Sequence, residues 1–222
     1  MSPDFILSFL RILIVIFISI DIHEFSHALT ATWLGDDLPR YQGRLTLNPM
    51  AHLDPVGTLM IVMSSLSGFG FGWGRPVQVN PVRLRYGPAV GMGIVAIAGP
   101  ISNLVLASLA ALCYHTLNFL QLQSQGSRDF FITFMLLNVG LALFNMIPIF
   151  PLDGFRVALA LLRLVRGRTA MEVAWRLEST AAYGPMLFIL LILADQVLPF
   201  HLLGTLIGGP STFLLRVLLG RL

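Results

Sequence analysis

His23, Glu24 and His27 stand in the order H-E-x-x-H within an apolar run. Positions i and i+4 share a helix face, so both imidazoles can reach one metal ion, with Glu24 beside it as a base for water. In a chain of this composition such a motif arises by chance at a frequency on the order of one in a thousand. The alternative is a pair of buried histidines that satisfy each other or the backbone, which is costly inside an apolar segment without a functional partner. A catalytic zinc needs a third protein ligand and an open fourth position. No further His follows His27 at the spacing of the soluble zincins, so the third ligand has to come from another element. Asp153, in Pro151-Leu152-Asp153-Gly154, is the candidate, with a helix N-cap as its competing role. Asp54 is its rival, but Asp54-Pro55 reads more simply as a turn. His52 reads as a turn or interface residue, while Asp21 is either a partner of the ligands or a water-facing charge. His115 and His201 belong to no constellation.

The elements that must carry these residues are set by hydropathy. Of the 222 residues, 56% are hydrophobic and 11% charged, against roughly half and roughly a quarter in an ordinary soluble domain. This points to an all-α polytopic membrane protein, a single membrane-embedded domain over residues 1–222 with about five or six membrane segments. Core helices are predicted at about 4–34, 88–120 and 130–148, the last ending near Pro148 and Pro151. Accessory segments are expected at about 181–197 and 202–219, the second broken by Gly208, Gly209 and Pro210. The uncharged stretch from Val56 to Gly74 is too rich in glycine for a full span and reads as a re-entrant or hairpin loop. Its alternating Phe69, Phe71 and Trp73 would suit a membrane-embedded hairpin whose edge pairs with an extended strand, or an interfacial aromatic loop. Gly99, Pro100 and their small neighbours Ala96, Ala98 and Ser102 read as a place where another helix comes close or α-structure kinks.

Other classes fall away. The net charge of +3 is carried by 14 basic residues, all arginine. They form no stripe, so no nucleic-acid partner is expected. A single cysteine, Cys113, excludes a disulfide scaffold and a CxxC zinc ribbon. The first apolar run has no basic n-region and no small-x-small cleavage site, and so is read as a retained helix rather than a signal peptide. Arginines cluster after the first helix, before the second and after the third. Placing all three clusters in the cytoplasm satisfies the positive-inside bias and brings the ends that carry His23, His27 and Asp153 to the cytoplasmic side of a bacterial-type cell membrane.

Further runs carry a resemblance. They are Gly43-Arg44-Leu45-Thr46-Leu47-Asn48-Pro49 with His52-Leu53-Asp54-Pro55-Val56-Gly57-Thr58, Gly72-Trp73-Gly74-Arg75-Pro76-Val77-Gln78-Val79-Asn80-Pro81, Gly99-Pro100-Ile101-Ser102-Asn103, and Asn145-Met146-Ile147-Pro148-Ile149-Phe150-Pro151-Leu152-Asp153-Gly154. With H-E-x-x-H they resemble the site-2 protease family of intramembrane zinc metalloproteases (peptidase family M50), the last run matching its N-x-x-P-x-x-P-x-D-G signature. The resemblance covers most of the first 160 residues, with no room between the second and third helices for a PDZ domain and none seen for a CBS pair. It departs at Phe155, where the family often has a second glycine. The resemblance implies one Zn2+ per chain on His23, His27 and Asp153, Glu24 as catalytic base, and Asn145 touching substrate or the developing oxyanion. A helix-stabilising hydrogen bond is the other role open to Asn145. The implied activity is hydrolysis of a peptide bond within or near the transmembrane helix of a substrate protein in the lipid bilayer. A zinc-dependent membrane hydrolase of a non-peptide amide, or a non-catalytic metal-binding or transport protein, are the other classes considered. Substrate identity and oligomeric state are not legible in these residues.

Overall fold

Long uncharged runs become long helices wherever no proline or glycine cluster interrupts them. The computed structural model describes residues 3–67, 72–165, 167–197 and 202–220. Its helices are α1 (Pro3–Trp33), α2 (Leu38–Tyr41), α3 (Pro49–His52), α4 (Pro55–Ser67), α5 (Pro88–Phe119), α6 (Gln125–Asn145), α7 (Asp153–Leu164), α8 (Arg168–Ser179), α9 (Gly184–Val197) and α10 (Leu202–Leu218). Their starts carry local signals. Pro88 opens α5 in the position where a missing N–H costs nothing. Ser124 and Ser127 form a reciprocal cap at the start of α6, and Asn48 accepts a hydrogen bond from the backbone N–H of Met50 to begin α3.

Among the described residues four helical runs are long and apolar enough to cross a membrane: Asp4–Trp33, Pro88–Phe119, Gln125–Asn145 and Arg168–Asp195. Among the described residues there is no strand, only one isolated bridge between Leu53 and Gly74. The outer face of α1 exposes Phe5, Ile6, Leu7, Leu10, Ile14 and Ile18, and that of α5 exposes Ile101, Val105, Leu109 and Leu112. Apolar exposure on that scale is stable against lipid and not against water. The chain is an all-α integral membrane protein.

Buried stripes hold the bundle together. On α1 the stripe is Val15, Ser19, His23, His27 and Ala31, spaced by four. On α5 it is Gly91, Val95, Gly99, Asn103, Ala107 and Ala111, with the same spacing. Rows spaced by four are the ridges through which helices interlock, and small residues in one row let the bulkier row of the other approach. Helix α7 also packs on α5, where a side chain at Gly93 would run into Ala160. At the far end Arg11 lies 3.7 Å from Asp129, joining α1 to the start of α6.

Several expected boundaries shift. Within the expected re-entrant or hairpin loop, Pro55–Ser67 is a helix of 13 residues. It is shorter than the roughly 20 residues a span requires, and its glycine serves packing: a side chain at Gly57 would strike the Trp73 carbonyl. Phe69 and Phe71, on which the hairpin reading leaned, lie outside the described residues, as do Arg166 and His201. Helix α10 runs on through Gly208, Gly209 and Pro210. Its ends are held by neighbours, as in the bond from His115 Nε2 to the Leu218 carbonyl at 2.8 Å, and in a bundle a proline is tolerated where other groups steady the helix. Helix α6 begins five residues earlier than expected and stops at Asn145, ahead of the prolines. The amphipathic α8 is not expected as a helix from the sequence, and α7 only as the segment that Asp153 would cap. They bury Phe155, Leu159 and Ala174 against each other, so the departure at Phe155 is a packing residue.

Candidate metal centre

The turn of α1 that carries H-E-x-x-H lies against α5 and the start of α7. His23 Nε2 is 3.1 Å and His27 Nε2 3.4 Å from Asp153 Oδ2. One donor atom from each of the three residues lies within 4.8 Å of the others. Asp153 Oδ2 is buried and makes no hydrogen bond, a costly state for a carboxylate oxygen unless a cation sits against it. Asp153 is the first residue of α7, whose N-cap position belongs to Leu152, so the capping role is not the one it performs.

Each imidazole is held by its other nitrogen. His23 Nδ1–H donates to Asn103 Oδ1 at 2.6 Å, and His27 Nδ1–H donates to the Val95 carbonyl at 2.8 Å. Both rings therefore present an Nε2 lone pair towards Asp153, the tautomer a metal ligand needs. The rings meet edge to face with centroids 4.6 Å apart. Asn103 is itself fixed, its Nδ2 donating to Asn138 Oδ1 at 2.9 Å and to the Ser19 carbonyl at 3.3 Å. A chain of buried carboxamides thus runs from α6 through α5 to the ligand on α1. Gly99 completes the cradle. A Cβ there would lie 2.5 Å from His27 Nε2 and 2.6 Å from His23 Nε2. Convergent lone pairs, an unsatisfied anionic oxygen and space kept clear between them fit a three-ligand zinc site.

Glu24 faces a cavity of about 600 Å³ shared with His23, His27, Asp153 and Asn145. Its Oε2 accepts the backbone N–H of Val77 at 3.1 Å, from the non-helical stretch 72–80 that forms one wall. That stretch is pinned at both ends. Arg75 N donates to the His52 carbonyl at 2.7 Å, and Asn80 N donates to Asp36 Oδ2 at 2.6 Å. His52 is fully buried, its Nε2 donating to the Thr46 carbonyl at 2.9 Å and lying 3.6 Å from Asp21 Oδ1. So Asp21 faces His52 rather than the ligands, and His52 is the interface residue expected of it. Asp54 Oδ1 accepts the N–H of Gly57, as a turn residue does. Asn145 lines the cavity and also donates from Nδ2 to the Leu141 carbonyl at 3.0 Å, so both roles open to it have support.

The profile of peptidase family M50 matches residues 113–192, a stretch that includes Asn145 and Asp153. The chain is 37% identical over 185 residues to the Bacillus subtilis (strain 168) protein "Putative zinc metalloprotease YwhC", covering 81% of this chain and 78% of that one. The chain belongs to peptidase family M50. As a member it is a zinc metallopeptidase by family. It is also 38% identical over 93 residues to "Putative zinc metalloprotease Rip2" of Mycolicibacterium smegmatis, and 34% identical over 92 residues to the protein so named in Mycobacterium tuberculosis (strain H37Rv). These alignments take in 41% of this chain and about a third of each Rip2. No solved structure matches.

Two residues of the site were missed in the sequence. Gly99 reads in the sequence as a place of helix approach or a kink and Asn103 carries no role there, although a carboxamide in an uncharged span needs a partner and so was a usable signal. Asn103→Ala should lower zinc affinity about 10- to 100-fold, the usual cost of removing a group that orients a ligand. Metal competition with a chromophoric chelator measures this, and unchanged affinity would show that His23 is oriented by packing alone.

Proposed function

We propose that this chain is an intramembrane zinc metalloprotease that hydrolyses a peptide bond within or near the transmembrane helix of another protein. The observation that carries the reading is the position of His23, Glu24 and His27 on a helix long and apolar enough to cross the membrane, with Asp153 brought against the two rings from the start of α7, beside a shared cavity. His23, His27 and Asp153 hold one zinc per chain, which when bound polarises a carbonyl and makes water acidic enough to be deprotonated near pH 7. Asn103 and the Val95 carbonyl hold the two imidazoles with Nε2 pointed at Asp153. Glu24, steadied by Val77 N, takes the proton from water and returns it to the leaving amine. Asn145 has one amide hydrogen committed to Leu141 and one left to donate to the oxyanion, a contribution of about 3 kcal/mol by analogy with other side-chain donors.

A helical substrate hides its carbonyls in i to i+4 bonds, so it must unwind before hydrolysis. The wall at residues 72–80 offers backbone for an extended segment to lie along. Gly or Pro introduced near the cytoplasmic end of a substrate helix removes bonds that otherwise must open, and cleavage should rise, while Leu at those places should lower it. Cleavage of reporter substrates in proteoliposomes measures this. Efficient hydrolysis of soluble polar peptides, with indifference to helix breakers in a membrane substrate, would overturn the intramembrane reading.

The arginine distribution supports an active site towards the cytoplasm. Reporter fusions after Arg83 and after Arg168 should read cytoplasmic, and those near Ser124 external. The reverse pattern would invert the topology.

A further inference from the structure

The non-helical stretch 72–80 has a second cavity on its other side, and its chemistry is unlike that of the first. About 360 Å³ in volume, it is lined by Gln42, Arg44, Arg75, Pro76 and Gln78. Arg44 is 5% exposed. Its Nη1 donates to the carbonyls of Ala51 and Arg75. Among the described residues no carboxylate lies within ion-pair distance of Arg44 or Arg75, whereas Arg11, Arg40, Arg163 and Arg168 each have one. Burial and the neighbouring charge of Arg75 both lower the Arg44 pKa, with Glu24 acting the other way. A buried guanidinium beside a second one is a costly arrangement that an anion relieves. Gln42 Nε2 donates to Gln78 Oε1 at 2.7 Å, closing the cavity with two carboxamides that offer further donors.

The surroundings say what kind of anion. The cavity opens at the end of the bundle where α1 finishes and α5 begins, these being joined by the bond from Arg85 N to the Leu34 carbonyl at 2.8 Å. Trp33, Tyr41 and Tyr86 are strongly exposed there. Trp and Tyr at the ends of spans settle at headgroup depth, where lipid phosphates lie. A peptide in the cavity of Glu24 would lie on the opposite side of stretch 72–80. A planar guanidinium fork matches a phosphate's oxygens with paired, charge-assisted bonds.

We propose that Arg44, Arg75, Gln42 and Gln78 form a binding site for a phosphate group, presented by the headgroup of an anionic phospholipid. The bound lipid seals the outer side of the stretch whose inner side holds Glu24.

The test uses the full chain, delipidated in mild detergent and titrated with phosphatidylglycerol, phosphatidylcholine or inorganic phosphate, with bound lipid counted by native mass spectrometry. One phosphatidylglycerol should be retained per chain, with phosphatidylcholine far weaker. Arg75→Gln should weaken retention about tenfold, and Arg75→Lys less, since the charge remains while the fork is lost. Arg40→Gln, which removes an equal charge outside the cavity, should leave retention unchanged. Arg44→Gln is the less useful variant because Arg44 also braces the Ala51 turn. Equal retention by the Arg75→Gln and unaltered chains, or equal loss in Arg40→Gln, would overturn the proposal. Displacement of the lipid by an equal concentration of inorganic phosphate would overturn the lipid source. Loss of peptide cleavage in Arg75→Gln with lipid retention intact would reassign the cavity to a peptide carboxylate.

Discussion

Gly99→Ala is expected to empty the zinc site while leaving the helices in place. The new methyl carbon would stand 2.5 Å from His27 Nε2 and 2.6 Å from His23 Nε2, inside the space that the three ligand atoms surround. Neither ring can retreat cheaply, because His23 is tied to Asn103 and His27 to the Val95 carbonyl, both on the same helix as Gly99. If α5 moved back instead, it would carry those two partners with it and release the rings. Either way three donors no longer converge, and zinc content should fall below about a tenth of one ion per chain, since loss of ligand orientation alone costs 10- to 100-fold in affinity. Alanine favours helix over glycine by about 1 kcal/mol, so circular dichroism should show α5 intact. Gly140→Ala is the matched control, for nothing lies within 4 Å of where its Cβ would be. Full zinc content in Gly99→Ala, measured by elemental analysis, would mean that the site opens differently from the arrangement described.

What the sequence made legible, and what it did not, follows from the range of each interaction. His23, Glu24 and His27 are neighbours on one helix, so helical period alone places them together. Asp153 is 126 residues beyond His27, and it was reached by the chemistry a zinc site requires and by resemblance. The structure then puts its Oδ2 against both rings. The long spans were visible because uncharged runs leave few other folds. Helix α8 was not, and α7 only as the segment that Asp153 would cap, because their apolar faces gain meaning only against each other and Phe150. The pairing of Asp21 with His52 joins α1 to a turn 31 residues later, and no local pattern encodes it. That the stretch from Pro55 is helical was not legible, because the glycines in and after it suggested a re-entrant or hairpin loop. Gly57 and Gly72 instead make room for the Trp73 backbone and for Ile61, so the contact they serve is tertiary.

The second large effect concerns Glu24. Glu24→Gln keeps the side chain's length and one carbonyl oxygen, so the hydrogen bond from Val77 N and the course of stretch 72–80 should survive. It removes the carboxylate that accepts a proton from water. Loss of a general base costs about 10²- to 10⁴-fold, and here the same group also returns the proton to the leaving amine, so the drop should sit at the upper end. Zinc content should not change, because the three ligands of the cradle are untouched. The paired measurement is elemental analysis of the purified chain and a comparison of membrane-protein fragments from cells carrying the unaltered or the Glu24→Gln chain. Retained zinc with vanished fragments is the signature of catalysis, and new termini on those fragments identify a peptide bond as the one cut. A transport or storage site has no use for a carboxylate that does not ligate, and would show metal handling unaltered with no fragments in either case. A hydrolase of a non-peptide amide would lose turnover in the same variant while the membrane proteins of both cells stayed whole, which separates the loss of the proposed substrate from the loss of the chemistry.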